Sequence, residues 1–314
     1  MSLQREVHGR DAVVQLHDDG RATWQGLPVA APNVVDCTMS GTRYALLRED
    51  GAVYYCIGRG AYLLPIGTPA RSIAFSSACL AIALTTGRVL LRSPTKWYTV
   101  PLPAKALHVF GGCGASAAIC DDGGLYTWGH NHCQQLGHGG VPPARVALPG
   151  AVADFGFGAG FACALLASGK LYVWGFMSSS RPRAFMRHVS FTRLAVGEGY
   201  ITALARDGSV YMRGTVSGIE CSCIKTVPEN VSGLSGGWAS TSVRCEYTEK
   251  PTPGPGGAPP LNLRPRRWRA RRLVVQWLLR EQSVRKRPRR CADGDFCHLL
   301  QLPVELWRAV VKYL

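Results

Sequence analysis

The stretch Asp121-Asp122-Gly123-Gly124-Leu125-Tyr126-Thr127-Trp128-Gly129-His130-Asn131-His132-Cys133-Gln134-Gln135-Leu136-Gly137 carries the architecture of this chain in its smallest complete form. Asp122-Gly123 is a turn pair, because glycine takes positive φ without steric cost. Leu125 to Trp128 alternate, which places Tyr126 and Trp128 on one face of a strand. Gly129 then breaks the strand into a loop rich in glycine and amide side chains.

Weaker copies of this unit run through the first 240 or so residues. Turn glycines recur at Gly20, Gly51, Gly87, Gly123, Gly169 and Gly208, spaced by 31, 36, 36, 46 and 39 residues. An apolar strand precedes each turn, as in Tyr44-Ala45-Leu46-Leu47 and Leu80-Ala81-Ile82-Ala83-Leu84. A second strand follows, as in Ala52-Val53-Tyr54-Tyr55 and Leu171-Tyr172-Val173-Trp174. Glycine knots (Gly111-Gly112, Gly156-Phe157-Gly158, Gly197-Glu198-Gly199) stand before several first strands and are read as turns. Another, Gly233 to Gly237, heralds a seventh strand over residues 239–245. Hairpins this short bury little surface alone and must stack. The reading is all-β: a β-propeller of six to seven short blades over residues 8–247, its ring closed by joining the two ends of the repeat region. The unequal spacing favours the rival reading, a run of hairpins in a sandwich.

Residues 111–176 resemble the regulator-of-chromosome-condensation repeat family. The family's blade runs through a glycine-rich entry, a small-apolar strand, Asp-Gly, a strand ending in Trp-Gly, an Asn and a Gln-Leu-Gly loop. Gly111-Gly112, Ser116 to Ile119, Asp122-Gly123, Trp128-Gly129, Asn131 and Gln135-Leu136-Gly137 match step by step. The next repeat matches through Trp174-Gly175 and then loses the loop, and the first three repeats match faintly. Repeats here are shorter than that family's blade, which implies that some outer strands are missing. The resemblance implies a protein-binding propeller, or the chromatin-binding or Ran-type guanine nucleotide exchange role of the family's founding member.

After the repeats the composition changes. Residues 248–263 are rich in proline and glycine and read as a semi-extended linker. The net charge of +16 is concentrated in residues 264–290, which hold twelve Arg or Lys against one acid. Arg266, Arg267, Arg269, Arg271, Arg272, Arg285, Lys286, Arg287, Arg289 and Arg290 form a basic patch, with a cationic helix read at 268–279. An importin, an acidic partner or acidic membrane surface, nucleic acid or a solvated spacer are the open readings of this segment. The charge of the body is read as slight beside it.

Residues 297–314 end the chain on a helical pattern. Pro303 suits a helix's first turn and Glu305 the positive end of its dipole. Leu302, Leu306, Val310 and Leu314 recur as an apolar stripe. Leu302-Pro303-x-Glu305-Leu306 resembles the opening of an F-box, and a truncated terminal F-box after a repeat domain is the layout of poxvirus ankyrin-repeat proteins. That resemblance implies a Skp-adaptor contact through Leu302, Pro303, Glu305, Leu306, Val310 and Leu314, recruitment of a Skp–cullin ubiquitin ligase, and a host-cell setting if the source is viral.

Catalysis and cofactors are not expected. There is no Gly-x-Ser-x-Gly elbow, phosphate loop or His-Glu-x-x-His pattern. His130-x-His132-Cys133 lacks a fourth ligand and is read as solvent-facing loop rather than a zinc site. The twelve cysteines are read as reduced, buried, intracellular thiols, since the first ten residues lack a signal-type apolar core and no run approaches a membrane span. The partner surface is expected on the loops of repeats four to six, where Arg145, Arg181, Arg183, Arg187 and His188 lie near Phe176, Phe185 and Met186.

Overall fold

The computed structural model describes residues 3–8, 13–140, 142–216, 219–226, 231–235 and 244–247, with side chains for Val7, 13–140 and 142–214. Six antiparallel sheets are each built from four consecutive strands. They are β1 (Leu3–His8), β2 (Val13–His17), β3 (Ala22–Trp24), β4 (Leu27–Pro28); β5 (Val34–Ser40), β6 (Arg43–Arg48), β7 (Val53–Ile57), β8 (Gly60–Leu63); β9 (Ala70–Ser76), β10 (Cys79–Leu84), β11 (Val89–Arg92), β12 (Trp97–Val100). Then come β13 (Ala106–Gly111), β14 (Ala115–Cys120), β15 (Leu125–Gly129), β16 (Ala144–Arg145); β17 (Val152–Phe157), β18 (Phe161–Leu166), β19 (Leu171–Gly175), β20 (Arg183–Phe185); β21 (Phe191–Val196), β22 (Tyr200–Ala205), β23 (Val210–Val216), β24 (Ile219–Thr226). A seventh sheet pairs β25 (Val231–Ser235) with β26 (Arg244–Tyr247). The first strand of each sheet lies against the first strand of the next, from β1 through β25. The sheets are therefore blades set around an axis, with the first strands innermost. This is the β-propeller read from the repeats.

The repeated hairpins are the second and third strands of each blade. All six turn glycines are left-handed, with φ between 71° and 87°. In every copy the glycine N–H donates to the carbonyl three residues back, as in Gly51 to Arg48 at 3.0 Å and Gly123 to Cys120 at 3.0 Å. The aspartate carboxylates of Asp19, Asp50, Asp122 and Asp207 each accept the N–H two residues on. The same turns have a second use that the sequence pattern does not announce. The glycine carbonyls of Gly20, Gly51, Gly87, Gly123 and Gly169 accept the N–H that opens the next blade's inner strand: Val34, Ala70, Ala106, Val152 and Phe191, at 2.8–3.0 Å. Each turn is thus an inter-blade staple. A Cβ at Gly51 would stand 2.9 Å from the Ala70 carbonyl, so the staple requires glycine for space as well as for φ.

Among the described residues the core is divided: apolar clusters fill the spaces between consecutive blades. Val14, Leu16, Tyr44 and Leu46 join the first two, Leu47, Phe75 and Ile82 the next pair, and Ala83, Val109, Tyr126 and Trp128 the third and fourth. Leu125, Leu136, Phe155 and Trp174 join blades four and five, and Phe161, Val173, Phe191 and Tyr211 five and six. The second strands are sandwiched on both faces, which explains their small residues: Ala115–Cys120 and Phe161–Leu166 are buried at every position.

Four expectations change. The outer strands are present in all six four-stranded blades, and in the first five they are only two to four residues long. The glycine knots are not simple turns, since Gly111 and Gly156 end or cross inner strands where the blades crowd the axis. A Cβ at Gly111 would overlap the Phe75 carbonyl, and one at Gly156 would overlap the Val196 side chain. Gly233 to Ser235 likewise belong to β25, and only the end of the strand read at 239–245 falls in described backbone, within β26. Finally, β1 pairs with β2 inside its own blade, and no described strand of the first sheet pairs with β25 or β26. The ends are not latched by strand exchange among the described residues. The linker, the basic patch (Arg266 to Arg290) and the terminal Leu302 to Leu314 stripe lie outside the described residues.

Candidate protein-interaction surface

The best-preserved loop turns out to be mortar. Asn131 holds it from both ends: its Nδ2 donates to the His138 carbonyl at 2.9 Å, and its Oδ1 accepts the Leu136 N–H at 3.0 Å. This folding drives Leu136 completely out of solvent against Trp174 of the next blade. The buried Trp174 indole donates to the Gln135 carbonyl at 2.8 Å. His138 accepts the Gly140 N–H on Nδ1, so its Nε2 carries the proton and faces Thr127 Oγ1 at 2.9 Å. The Thr127 hydroxyl in turn donates to the Leu136 carbonyl at 2.7 Å. Asn, Gln-Leu-Gly and Trp-Gly are thus one interlocking unit spanning two blades.

His130 and His132 are exposed, with ring centroids 5.6 Å apart. Among the described residues no three His, Cys, Asp or Glu side chains gather as a metal site would require. Among the seven cysteines with described side chains, Cys37, Cys56, Cys120 and Cys163 are buried, whereas Cys113 and Cys133 are exposed, against the reading that all are buried. Burial pushes the Cys56 and Cys120 thiols up to about 12.

The arginine and aromatic residues of repeats four to six divide by role. Arg145 lies on strand β16 rather than in a loop and faces Asp122 at 3.7 Å. Burial pushes the Asp122 carboxyl up. The Gly124 N–H, the Tyr126 hydroxyl at 2.8 Å and the Arg145 charge outweigh it and hold the group below its ordinary value. Arg183 and Phe185 are on β20, the outer edge of the fifth blade. Phe185 and Met186 pack on the cluster between blades five and six, while Arg181, Arg183, Arg187 and His188 are exposed and Phe176 is 82% exposed. Lys170 Nζ donates to the Arg187 carbonyl at 2.7 Å, and Arg213 of blade six donates to the Met177 carbonyl at 3.3 Å with its guanidinium 5.7 Å from the Phe185 ring centroid. The surface is therefore an aromatic and cationic rim across two blades.

Charge in the propeller is more uneven than its small total suggests. Residues 51–197 hold twelve Arg or Lys and only three carboxylates, Asp121, Asp122 and Asp154. Basicity is a property of blades two to five as well as of the tail.

A second surface escaped the sequence reading. Tyr62 is 63% exposed on β8 and stands opposite Tyr55; Arg92 of the next blade lies 4.2 Å over the Tyr55 ring, and Trp97, 42% exposed on β12, is 5.9 Å from Arg92. The four form a ladder across the boundary of blades two and three. Its signal was the outer strands, too short to show a period of two.

The polar residues of the inner strands form a further layer. Every inner strand has a register shift near its start, so that Asp36, Ser72, His108, Asp154 and Arg193 follow a bulge at equivalent positions. Ser72 Oγ accepts the Val109 N–H of the next blade at 3.1 Å, and Asp154 likewise accepts the N–H of Leu194. Ser72 and Asp154 thus bridge neighbouring inner strands; they are structural before they are chemical.

No family model matches the chain. In three dimensions it is similar to human WBSCR16, with a TM-score of 0.62 at 12% identity over 76% of this chain and 85% of that one. Prp20p of Saccharomyces cerevisiae, whose crystal structure is described with its binding properties to Gsp1p and histones, gives a TM-score of 0.58 at 15% identity over 68% and 72%. Yeast RCC1 (Prp20) bound to Kap60 gives 0.50 at 15% identity over 59% and 56%. The fold is that of propellers of the chromosome-condensation-regulator type. Among the described residues no helix is long and apolar enough to cross a membrane.

Proposed function

We propose that this chain is an intracellular, non-catalytic protein-interaction adaptor. Its propeller captures a target protein, and residues 297–314 recruit the Skp subunit of a Skp–cullin–F-box ubiquitin ligase. The observation that carries the reading is a conjunction. A propeller of a kind consistent with a binding platform exposes Phe176 and, on the same blade, Arg181, Arg183 and Arg187. The same chain carries, beyond a proline and glycine linker, the Leu302-Pro303-x-Glu305-Leu306 pattern with its apolar stripe. A platform joined by a linker to a short apolar motif lets both partners bind without sharing a surface. The basic residues 264–290 serve as an importin or acidic-partner contact in this reading; Kap60 bound to yeast RCC1 is an example of such an encounter in a protein of this fold.

The deciding experiment is co-precipitation of Skp and cullin with the full chain. Capture that is abolished by Leu302→Asp with Leu306→Asp supports the adaptor, and absence of cullin from the wild-type precipitate ends it. The second reading, a chromatin-binding or Ran-type exchange factor, draws on the binding of Prp20p to Gsp1p and histones. Nucleotide release from a Ran-type GTPase tests it directly. None is expected, because the repeat loops that match the family fade away from blade four.

A further inference from the structure

Blade five ends in β20, which pairs with β19 and with no other described strand. The only backbone groups it offers outward belong to a three-residue edge carrying Arg183 and flanked by Arg181 and Arg187. Charged edges of this kind repel a second copy of themselves, which is how sheet proteins avoid self-pairing. They do not repel a strand of opposite charge. No aspartate or glutamate occurs from residue 155 to 197. No carboxylate of a described residue lies within ion-pair distance of Arg181, Arg183, Arg187 or Arg213.

The edge also has an apolar floor. Arg183 is in register with Val173, and Phe185 with Leu171, so alternation sets both on the face that packs toward blade six. Arg213 reaches the same place from blade six, over the Phe185 ring and against the Met177 carbonyl. Arg213 of blade six thus lies over the Phe185 ring, and Arg183 of blade five shares the strand face of that ring.

We propose that this edge and groove bind an extended acidic peptide segment, whose backbone adds to β20 and whose carboxylates meet Arg183 and Arg213. The occupant is set by charge complementarity, and the mode is strand addition with alternate side chains sorted between groove and solvent. The proposal rests on the reading of the propeller as the target-capturing part of the adaptor and names the class of target.

The test is fluorescence anisotropy on the full chain, with a short fluorescein-labelled peptide alternating glutamate and leucine, and the lysine-for-glutamate peptide as control. The acidic peptide is expected to bind, with affinity falling as salt rises. Arg183→Glu with Arg213→Glu is expected to weaken it by about tenfold or more. Arg181→Glu with Arg187→Glu, both changes at exposed side chains, provides a second variant whose unchanged melting temperature separates binding from folding. A photo-reactive version of the peptide is expected to cross-link within residues 176–187. Unchanged affinity in both variants, or cross-links confined to residues 264–290, overturns the proposal. So does tighter binding of a single-stranded oligonucleotide that is lost in the same variants. Retention of Skp capture by the arginine variants, with loss of peptide binding, leaves the adaptor reading intact; absence of Skp capture by the wild-type chain, with peptide binding retained, removes only the tail from it.

Discussion

Two tryptophans at equivalent positions show what a worn repeat costs. Trp174 closes blade five and finds the Gln135 carbonyl, supplied by the preceding blade's Gln-Leu-Gly loop. Trp128 closes blade four, is also buried, and has no protein acceptor for its indole N–H among the described residues, because blade three has no such loop. Trp174→Phe strands a buried carbonyl and leaves a void, so a loss of about 2–3 kcal/mol is expected in urea unfolding. Trp128→Phe removes an unpaired donor and is expected to cost less than about 1 kcal/mol. Asp154 gives the second prediction at this scale. Burial pushes it up to about 6 from 3.8, against the Phe155 and Leu194 N–H groups and the Arg193 charge, which pull it down. The folded state then holds this proton more tightly than the unfolded chain. Its contribution to stability is greatest below about pH 4, declines as pH rises to about 6, and is flat above. Asp154→Asn keeps one oxygen acceptor and removes the half-buried charge. It is expected to stabilise the protein at neutral pH by at most about 3 kcal/mol and to flatten the curve between pH 4 and 6. A variant less stable than wild type at neutral pH contradicts this account.

At the scale of elements, the hairpin was legible because its two requirements are both local. Glycine at the turn and alternating apolar residues on either side stand within about ten residues of each other. The inner strands were not legible, since their pattern is set by the next blade. Ala70–Ser76 and Phe191–Val196 carry a bulge, and glycines enter Ala106–Gly111 and Val152–Phe157 where the adjacent blade leaves no room for a Cβ, so these strands keep no clean period of two. The outer strands failed for the opposite reason: with two to four residues in blades one to five there is no period to see. The candidate surface was half legible. Its arginines and aromatics could be named, but Phe185 and Arg213 meet only because blades five and six are stapled together. The staple itself is testable. Gly51 has φ of 80° and its Cβ would crowd Pro69 and Ala70, whereas Gly67 has φ of 65° with nothing within 4 Å. Gly67→Ala is expected to cost about 1 kcal/mol, the price of a left-handed alanine. Gly51→Ala adds the loss of inter-blade contact and is expected to cost about 2–4 kcal/mol by the same denaturation measurement. Equal costs mean the turn serves its own hairpin alone.

For the whole molecule, the arrangement of cores decides how the ring comes apart. Among the described residues apolar clusters join each blade only to its neighbours, as in a solenoid bent round on itself, and stability in such arrays depends on nearest-neighbour interfaces. A strand exchanged between first and last blades makes opening cooperative; here β1 is committed to its own sheet. The terminal blades then open more readily than the middle ones. Native thiols report on this without any substitution. Cys37 and Cys56 lie between blades one and two, Cys120 between three and four, and Cys163 between five and six. All four are buried, so each reacts only when its interface opens, whereas Cys113 and Cys133 react at once. Pulsed alkylation with mapping by mass spectrometry is expected to label Cys113 and Cys133 first, Cys37 and Cys56 at an intermediate rate, and Cys120 last. Identical rates for Cys56, Cys120 and Cys163 identify a ring that opens as one unit, and with it a latch that the pairing of the described strands does not contain.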